Sequence, residues 1–374
     1  MGRLTGTRRH GCLRLFLSAL QWKREEDPSP LFISLMDVIA TIWKDPYYPD
    51  RNQRMIEAGV DVFRLKCSHS DLEKVTNSLQ AAREQINASG RPVRLLADLP
   101  EAKLRVGEFP EVIFPLERNQ TFKFVTATSS PHPQTFIPIP FPHLAEKLRI
   151  GDLFYTGDGQ LQFEVTAIEN TDTFYARAMN AGKLYNRCSL TIERIADDLD
   201  HVSPELDLIL AESPKSKPDM VAFSFVSSRK MLERLIEKLA KVTTPDWHPM
   251  VIAKIETQGG VDHFDEILEL AQGIMVARGD LAMNVPFEQL GLIQKKLVAK
   301  TRQAGKYVIV STGMLQSLLD NYLPMRSDIL DVTNAALDGA SAIMLCKETV
   351  ISETPEHSVA VAKKIIAAVQ GSRS

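Results

Sequence analysis

The sequence is poor in cysteine: it contains four among 374 residues, and no two of them form a Cys-x-x-Cys pair. A chain of this length buries a core large enough to fold without covalent cross-links. Histidine is also scarce, with eight residues, and none shows the spacing of a zinc site. These absences argue against a disulfide-rich secreted domain and a zinc module, and we expect reduced thiols in an intracellular compartment.

Long hydrophobic runs are missing as well. No segment approaches the ~18 consecutive apolar residues of a membrane helix, and the longest candidate, 12–20, is interrupted by Arg14. The first 24 residues contain six arginines and lysines, and no acid occurs before Glu25. Such a start is found in organelle transit peptides and also in incidental extensions before a domain. We treat 1–35 as an N-terminal extension and expect a cytoplasmic protein, with an organelle as the alternative.

Neither sign of charge is in excess. The 44 lysines and arginines and the 47 aspartates and glutamates give a formal net charge of -3. A chain without a basic excess has no general electrostatic attraction to nucleic acid. We therefore expect small-molecule substrates, with neither a nucleic-acid partner nor a membrane partner.

Short apolar or β-branched segments alternate with amphipathic helical segments from about residue 36 onward. The pattern predicts eight strands, at 38–42, 60–66, 93–98, 220–225, 251–255, 273–277, 307–311 and 342–345. Helices are predicted between and after them, among others at 71–88, 229–242, 261–271, 287–304, 328–337 and 356–369. This alternation predicts an α/β fold, specifically a closed (β/α)8 TIM barrel.

The alternation is interrupted after the third strand. From about 101 to 195 the chain is rich in Thr, Phe, Val, Pro and Gly, with short alternating runs such as 161–168 and 174–178. This composition predicts an inserted all-β domain. The expected organisation is an extension at 1–35, a first barrel part at 36–101, the insertion at 102–197 between hinges near Ala102 and Asp197, and a second barrel part at 198–374.

Active sites of TIM barrels lie at the carboxyl ends of the strands. This rule selects ten polar or charged side chains: Arg64, Lys66, Asp98, Lys254, Glu256, Arg278, Asp280, Thr312, Lys347 and Glu348. Charged groups brought together at one barrel mouth need partners or a ligand. Strand alternation directs Lys254 and Glu256 to the same side. Carboxylates from neighbouring strands, such as Glu256 and Asp280, can hold Mg²⁺.

Five segments of the sequence resemble the pyruvate kinase family. They are Phe63-Arg-Leu-Lys-Cys-Ser-His69, Val251-Ile-Ala-Lys-Ile-Glu256, Gly273-Ile-Met-Val-Ala-Arg-Gly-Asp-Leu281, Ala335-Ala-Leu-Asp-Gly-Ala340 and Met344-Leu-Cys-Lys-Glu-Thr349. The resemblance covers roughly 36–370 and places the β insertion where that family carries its mobile lid domain. The sequence stops just after the last predicted barrel helix, so we expect that the family's C-terminal regulatory domain is lacking.

The resemblance implies transfer of the phosphoryl group of phosphoenolpyruvate to ADP, giving pyruvate and ATP. It implies Mg²⁺ or Mn²⁺ as the cofactor, with Glu256 and Asp280 as metal ligands. Lys254 matches the lysine that stabilises the enolate and the transferring group, and Thr312 matches the threonine that delivers a proton near the substrate methyl. Arg64 matches a catalytic, phosphate-binding arginine, and Gly279 and Asp280 match the backbone donors to the substrate carboxylate. The nucleotide-side positions are His69, Arg105 and Lys44.

The resemblance also implies that K⁺ is not required. Family members that use K⁺ hold it with Asn, Ser, Asp and Thr side chains, and the matching positions here are Lys66, Ser68, Asp98 and Leu99. Two oxygen ligands are therefore missing. Lys103 stands where the usual family glutamate sits, so we expect a tethered ammonium to replace the ion, with Asp98 as its partner.

Several positions depart from the family pattern. The first-strand run is Thr41-Ile-Trp-Lys-Asp-Pro46, in which Trp43 replaces a glycine next to the nucleotide. Cys346 and Lys347 replace a Ser-Gly pair, and we expect Cys346 to be a small buried residue and not a nucleophile.

Two alternative functions therefore stay open. One is a Mg²⁺-dependent lyase or aldolase that acts on a pyruvate or oxaloacetate enolate on the same barrel. The other is a non-catalytic regulatory paralogue. In each case the resemblance allows a homo-oligomer formed through the barrel domain.

Overall fold

The computed structural model describes residues 36–42, 49–68, 71–100, 103–157, 159–192, 194–195, 203 and 205–372. The predictions for the N-terminal extension, for Trp43, Lys44 and His69, and for the hinges near Ala102 and Asp197 lie outside these residues. The chain divides into two compact units. The barrel unit comprises Met1–Glu101, Val202–Arg278 and Gly291–Ser374, and the insertion unit comprises Ala102–His201 and Gly279–Leu290. The sequence-based bounds had left 279–290 in the barrel.

The first part of the barrel unit contains three strands and two helices. In chain order they are β1 (Asp37–Thr41), α1 (Pro49–Glu57), β2 (Val62–Lys66), α2 (Leu72–Ser89) and β3 (Arg94–Asp98). Helix α2 begins after Asp71, whose carboxylate accepts the Glu73 N–H at 3.1 Å. It ends at Gly90, which adopts a left-handed conformation with a φ of 62°.

The insertion unit is built mainly from short antiparallel strands. They are β4 (Ile113–Leu116), β5 (Thr121–Thr126), β6 (Ile137–Ile139), β7 (Leu153–Thr156), β8 (Leu161–Asn170), β9 (Thr173–Ala178), β10 (Gly182–Tyr185) and β11 (Leu190–Thr191), with one short helix, α3 (Leu144–Lys147). Six strands form a sheet in the order β11-β7-β8-β9-β5-β6, and β10 pairs with β4. Apolar side chains alternate along these strands, so one face of the sheet is buried around Phe124, Phe154, Phe163 and Phe174.

The second part of the barrel unit supplies the other five strands. In chain order the elements are α4 (Leu206–Ser216), β12 (Met220–Phe223), α5 (Arg229–Ala240), β13 (Met250–Ile255), α6 (Gln258–Asp262), α7 (Phe264–Leu270), β14 (Gly273–Ala277), α8 (Arg278–Asn284), α9 (Leu290–Gln303), β15 (Tyr307–Ser311), α10 (Arg326–Asp338), β16 (Ala342–Leu345), α11 (Lys347–Val350) and α12 (Pro355–Gly371). Within α8, Arg278 belongs to the barrel unit and the residues from Gly279 onward belong to the insertion unit.

The eight barrel strands are all parallel and close in the order β1-β16-β15-β14-β13-β12-β3-β2. The predicted TIM barrel with a separate β-rich insertion is thereby confirmed. Inward-facing residues such as Ile39, Leu96, Ile252, Met275 and Ile309 fill the interior. The barrel is thus a packed core, and its polar inward-facing residues cluster at strand ends.

The predicted secondary structure needs correction at three places. The strand predicted at 220–225 ends at Phe223, because Phe225 has a φ of 53° and leaves the extended conformation. The helix predicted at 261–271 is two helices, α6 and α7, which meet at His263. Helix α4 was not predicted, since Pro214 within it removes a backbone donor. In the described part of the chain, no helix has both the length and the hydropathy to cross a membrane.

Candidate active site

The carboxyl ends of β2 and β3 bring Arg64 and Asp98 into contact. Arg64 Nε and Nη2 lie 2.9 and 2.5 Å from Asp98 Oδ2. Arg64 Nη1 donates to Thr41 Oγ1 at 3.1 Å, and Thr41 in turn donates to the Leu345 carbonyl at 2.8 Å. Arg64 is 7% exposed and Asp98 1% exposed. A guanidinium fixed by a carboxylate and a hydroxyl is a preorganised site for an anion.

Lys254 joins this pair from β13. Its Nζ lies 3.1 Å from Asp98 Oδ1 and 3.3 Å from Glu256 Oε1, and it donates to Ser224 Oγ at 2.7 Å. The Ser224 hydroxyl in turn donates a hydrogen bond to the Leu99 carbonyl at 3.1 Å. We call Arg64, Asp98, Ser224, Lys254 and Glu256 the mouth cluster. Every member is buried, so its charges interact with little screening by solvent.

The charges of the mouth cluster balance one another. Burial alone would raise the pKa of Asp98, but Lys254 and Arg64 outweigh it and hold the pKa well below the usual range. Burial lowers the pKa of Arg64, and Asp98 reverses that effect, so the net shift is upward. Asp98 is therefore ionised at neutral pH and holds two cations in place.

Glu256 is anchored by backbone as well as by charge. The Phe225 N–H donates to Glu256 Oε2 at 2.8 Å, from a residue held at a φ of 53°. Positive φ is unfavourable for a bulky residue, and such strain is retained where surrounding contacts over-determine the backbone. The carboxylate of Glu256 is therefore fixed in orientation at the carboxyl end of β13.

Thr312 follows β15 and has a φ of 77°, which is rare for a β-branched residue. Arg278 stabilises this backbone: its Nε lies 3.1 Å from both the Ser311 and Thr312 carbonyl oxygens. Arg278 also forms a bidentate pair with Asp331, at 2.7 Å for each contact. Arg278, which the strand-end rule selected, thus positions Thr312.

Cys346 follows β16 beside these groups, and it is partly exposed, whereas the sequence led us to expect a buried residue. Burial raises the pKa of the Cys346 thiol, whereas Arg64 and a hydrogen bond with Thr312 act in the opposite direction. The net effect keeps the thiol protonated, which makes it a poor nucleophile. Glu348, 1% exposed, accepts the Cys346 N–H at 2.7 Å.

In the insertion unit, the side chains of Lys103 and Asp280 form an ion pair. Gly279 and Asp280 lie in the first turn of α8, where backbone N–H groups have no partner within the helix. Arg105 donates to the Arg187 carbonyl at 3.3 Å. The ion pair described for Lys103 is with Asp280, and the partnership of a replacement lysine with Asp98 stays a prediction.

A divalent metal would have to use few protein ligands. Among the described residues, no three His, Cys, Asp or Glu side chains form a group that could hold a metal ion. Glu256 and Asp280 both carry carboxylates, which are hard oxygen ligands. Mg²⁺ typically takes one or two protein carboxylates and completes its shell with water and substrate oxygens. The donor chemistry of these two carboxylates fits that mode of binding.

Comparisons with known proteins identify the family. The family model described as pyruvate kinase, barrel domain, matches residues 34–359. The chain belongs to the pyruvate kinase family. The Thermococcus litoralis pyruvate kinase is 33% identical over 328 residues, covering 88% of this chain and 68% of that protein. The Candida albicans pyruvate kinase is 31% identical over 353 residues, covering 92% and 69%.

A crystal structure of a pyruvate kinase from Cryptosporidium parvum superposes with a TM-score of 0.81 at 28% identity. It covers 91% of this chain and 70% of the other. The chain therefore spans about two thirds of the length of these pyruvate kinases.

In this pyruvate kinase family member, sequence reasoning selected four members of the mouth cluster: Arg64, Asp98, Lys254 and Glu256. Lys66 contributes to the low pKa of Asp98, Ser68 is buried, and Lys347 is exposed. Sequence reasoning did not select Ser224, the hydroxyl partner of Lys254, or Thr41, the hydroxyl partner of Arg64. The inward alternation Met220, Ala222, Ser224 was the available signal, and the strand-end rule was not applied to the fourth strand.

Proposed function

We propose that this protein transfers the phosphoryl group of phosphoenolpyruvate to ADP, giving pyruvate and ATP. The observation that carries the proposal is the mouth cluster, in which buried Lys254 is held between Asp98, Glu256 and Ser224. Membership of the pyruvate kinase family supports the same reaction.

Each residue of the proposal has a physical task. The Lys254 ammonium stabilises the negative charge that develops on the enolate and on the transferring group. The Arg64 guanidinium binds the phosphate, and its contacts to Asp98 and Thr41 fix its orientation. The Thr312 hydroxyl relays a solvent proton to the enolate carbon, giving pyruvate, and Arg278 holds the Thr312 backbone.

Glu256 and Asp280 are the proposed ligands of Mg²⁺ or Mn²⁺. A divalent ion bound there would neutralise phosphoryl and enolate oxygens. On the nucleotide side we retain His69, Arg105 and Lys44 as proposals from the resemblance.

We also propose that K⁺ is not required. Asp98, one of the matching cation positions, already has Arg64 on Oδ2 and Lys254 on Oδ1.

The test is pyruvate formation from phosphoenolpyruvate, ADP and Mg²⁺. We expect pyruvate and ATP to appear in equal amounts, and Lys254→Met to lower kcat far more than it raises KM, because Lys254 acts on charge present in the transition state. Lys241→Met, which removes a helix-end lysine away from the mouth cluster, is the matched control.

Two outcomes would overturn the proposal. Absence of pyruvate with every nucleoside diphosphate tested would favour the non-catalytic paralogue. Release of pyruvate from oxaloacetate without any nucleotide would favour the enolate lyase.

A further inference from the structure

The proposed reaction uses Asp280 as a metal ligand but gives no task to the ion pair between Lys103 and Asp280. The two residues are 177 positions apart in sequence and meet within the insertion unit. Their side chains are only 12% and 27% exposed. An ion pair withdrawn from solvent is screened less than a surface pair. Its electrostatic attraction therefore stabilises the conformation that contains it more than that of a surface pair does.

The Asp280 side of this pair is held in place. Asn284, 2% exposed, donates from Nδ2 to the Asp280 main-chain oxygen at 2.9 Å. Further along α8, Met283 packs against Gly159, where an added Cβ would come within 2.8 Å of the Met283 Sδ. Helix α8 is therefore packed against the insertion. Lys103 has a flexible four-carbon stem, so it is the partner able to move.

An ammonium and a divalent cation compete for the same carboxylate. Asp280 Oδ1 is bound by Lys103 Nζ in this structure. A cation that binds Asp280 must break this contact or accept repulsion from a positive charge beside it. Either way, the free energy of the ion pair is subtracted from the binding free energy of the metal.

We propose that Lys103 is a displaceable internal counter-ion of Asp280 that lowers the affinity of this carboxylate for divalent cations. The proposal rests on the proposed function in one respect: it takes Asp280 as a metal ligand. It adds a role for Lys103 that differs from replacement of K⁺. Lys103 neutralises Asp280 before the metal arrives and is released when the metal binds.

The test is Mn²⁺ binding to the full chain, measured by the electron paramagnetic resonance signal of free Mn²⁺. Lys103→Met is expected to bind Mn²⁺ about two- to fivefold more tightly than the wild type, a range consistent with the coupling energies of ion pairs that solvent still reaches. Lys103→Arg keeps the cation and is expected to bind as the wild type does. Equal or weaker binding by Lys103→Met, or tighter binding by Lys103→Arg as well, would overturn the proposal.

The matched control is Lys123→Met, which removes a lysine that pairs with Glu169 at 3.1 Å in the same unit. It should leave Mn²⁺ affinity unchanged; a gain equal to that of Lys103→Met would show a general charge effect and overturn the proposal. In an Asp280→Ala background, Lys103→Met should have no effect on Mn²⁺ binding, and a retained gain would also contradict us.

Failure of this proposal and failure of the proposed function are distinguishable. Mn²⁺ affinities are measured without phosphoenolpyruvate or ADP, so they do not depend on turnover. Pyruvate formation by the wild type tests the reaction alone. An active enzyme whose Mn²⁺ affinity is unchanged by Lys103→Met would reject only the counter-ion role.

Discussion

At the scale of single residues, Asp98 is the electrostatic centre of the mouth cluster. It binds Arg64 through Oδ2 and Lys254 through Oδ1, at 1% exposure. Its neutralisation would leave two buried cations without their shared counter-charge. Removal of one partner from a buried ion pair is among the most destabilising single changes known in proteins.

We predict that Asp98→Asn lowers the free energy of unfolding by about 3–5 kcal/mol at pH 7. The pKa of Asp98 in the folded state lies below the value of about 3.9 in an unfolded chain. Its stabilising contribution is therefore complete above that pH and is lost as the pH falls toward the folded-state pKa. Urea unfolding from pH 7 to pH 3 should show the difference between mutant and wild type shrinking below about pH 4.

The control for this series is Asp246→Asn, at an exposed ion pair with Lys217. It should change the free energy of unfolding only slightly, because exposed ion pairs contribute little. A difference between Asp98→Asn and wild type that stays constant with pH would show that packing, and not charge, explains the loss.

A second residue-scale prediction concerns monovalent cations. We expect equal steady-state rates in Na⁺, K⁺ and a bulky organic cation at equal ionic strength, because lysines stand where an ion would otherwise supply charge. Lys103→Glu should lower the rate and make it respond to K⁺. Strong selective activation of the wild type by K⁺ would refute this expectation.

At the scale of secondary-structure elements, alanine substitutions at Gly90 and Gly291 test the effect of backbone conformation without a steric clash. A Cβ added at either position would meet nothing within 4 Å. Gly90 ends α2 with a φ of 62°, whereas Gly291 lies in α9, where the backbone is helical. The two sites therefore differ in backbone conformation and not in available space.

We predict opposite signs for the same substitution. Gly90→Ala should lower the free energy of unfolding by about 1 kcal/mol, because an L residue is strained in the left-handed region. Gly291→Ala should raise it by about 0.5 kcal/mol, because alanine loses less backbone entropy in a helix. Chemical denaturation measures both, and destabilisation by both variants would contradict the argument.

At the scale of the whole molecule, the two units have separate hydrophobic cores. The core of the insertion unit is aromatic: Phe124 is fully buried, with ring centroids 5.4, 5.6 and 5.0 Å from those of Phe154, Phe163 and Phe174. The interior of the barrel is filled by aliphatic and methionine side chains with Tyr307. Separate cores allow separate unfolding transitions.

We predict that Phe124→Ala destabilises the insertion unit by about 3–5 kcal/mol and shifts one of two calorimetric transitions. Phe63→Ala, which removes a fully buried ring from the barrel unit, should shift the other. If either variant shifted every transition equally, the two units would be unfolding as one.

The sequence was sufficient to predict the order of barrel strands and the place of the insertion. Periodicity of apolar residues is a local property, and a parallel barrel brings the ends of remote strands to one mouth. For this reason Arg64, Asp98, Lys254 and Glu256 could be selected together from the sequence alone. Apolar periodicity also predicted the helix at 71–88, which the structure contains as α2, Leu72–Ser89.

Only the tertiary structure decided which charged groups pair. Lys103 is bound to Asp280, Arg278 to Asp331, and Lys254 to Ser224 as well as to its carboxylates. It also decided that Phe225 and Thr312 adopt positive φ. Ion pairing and backbone strain depend on distances of a few ångströms between segments far apart in sequence. Those distances are set by packing of the whole unit, which no local pattern of residues encodes.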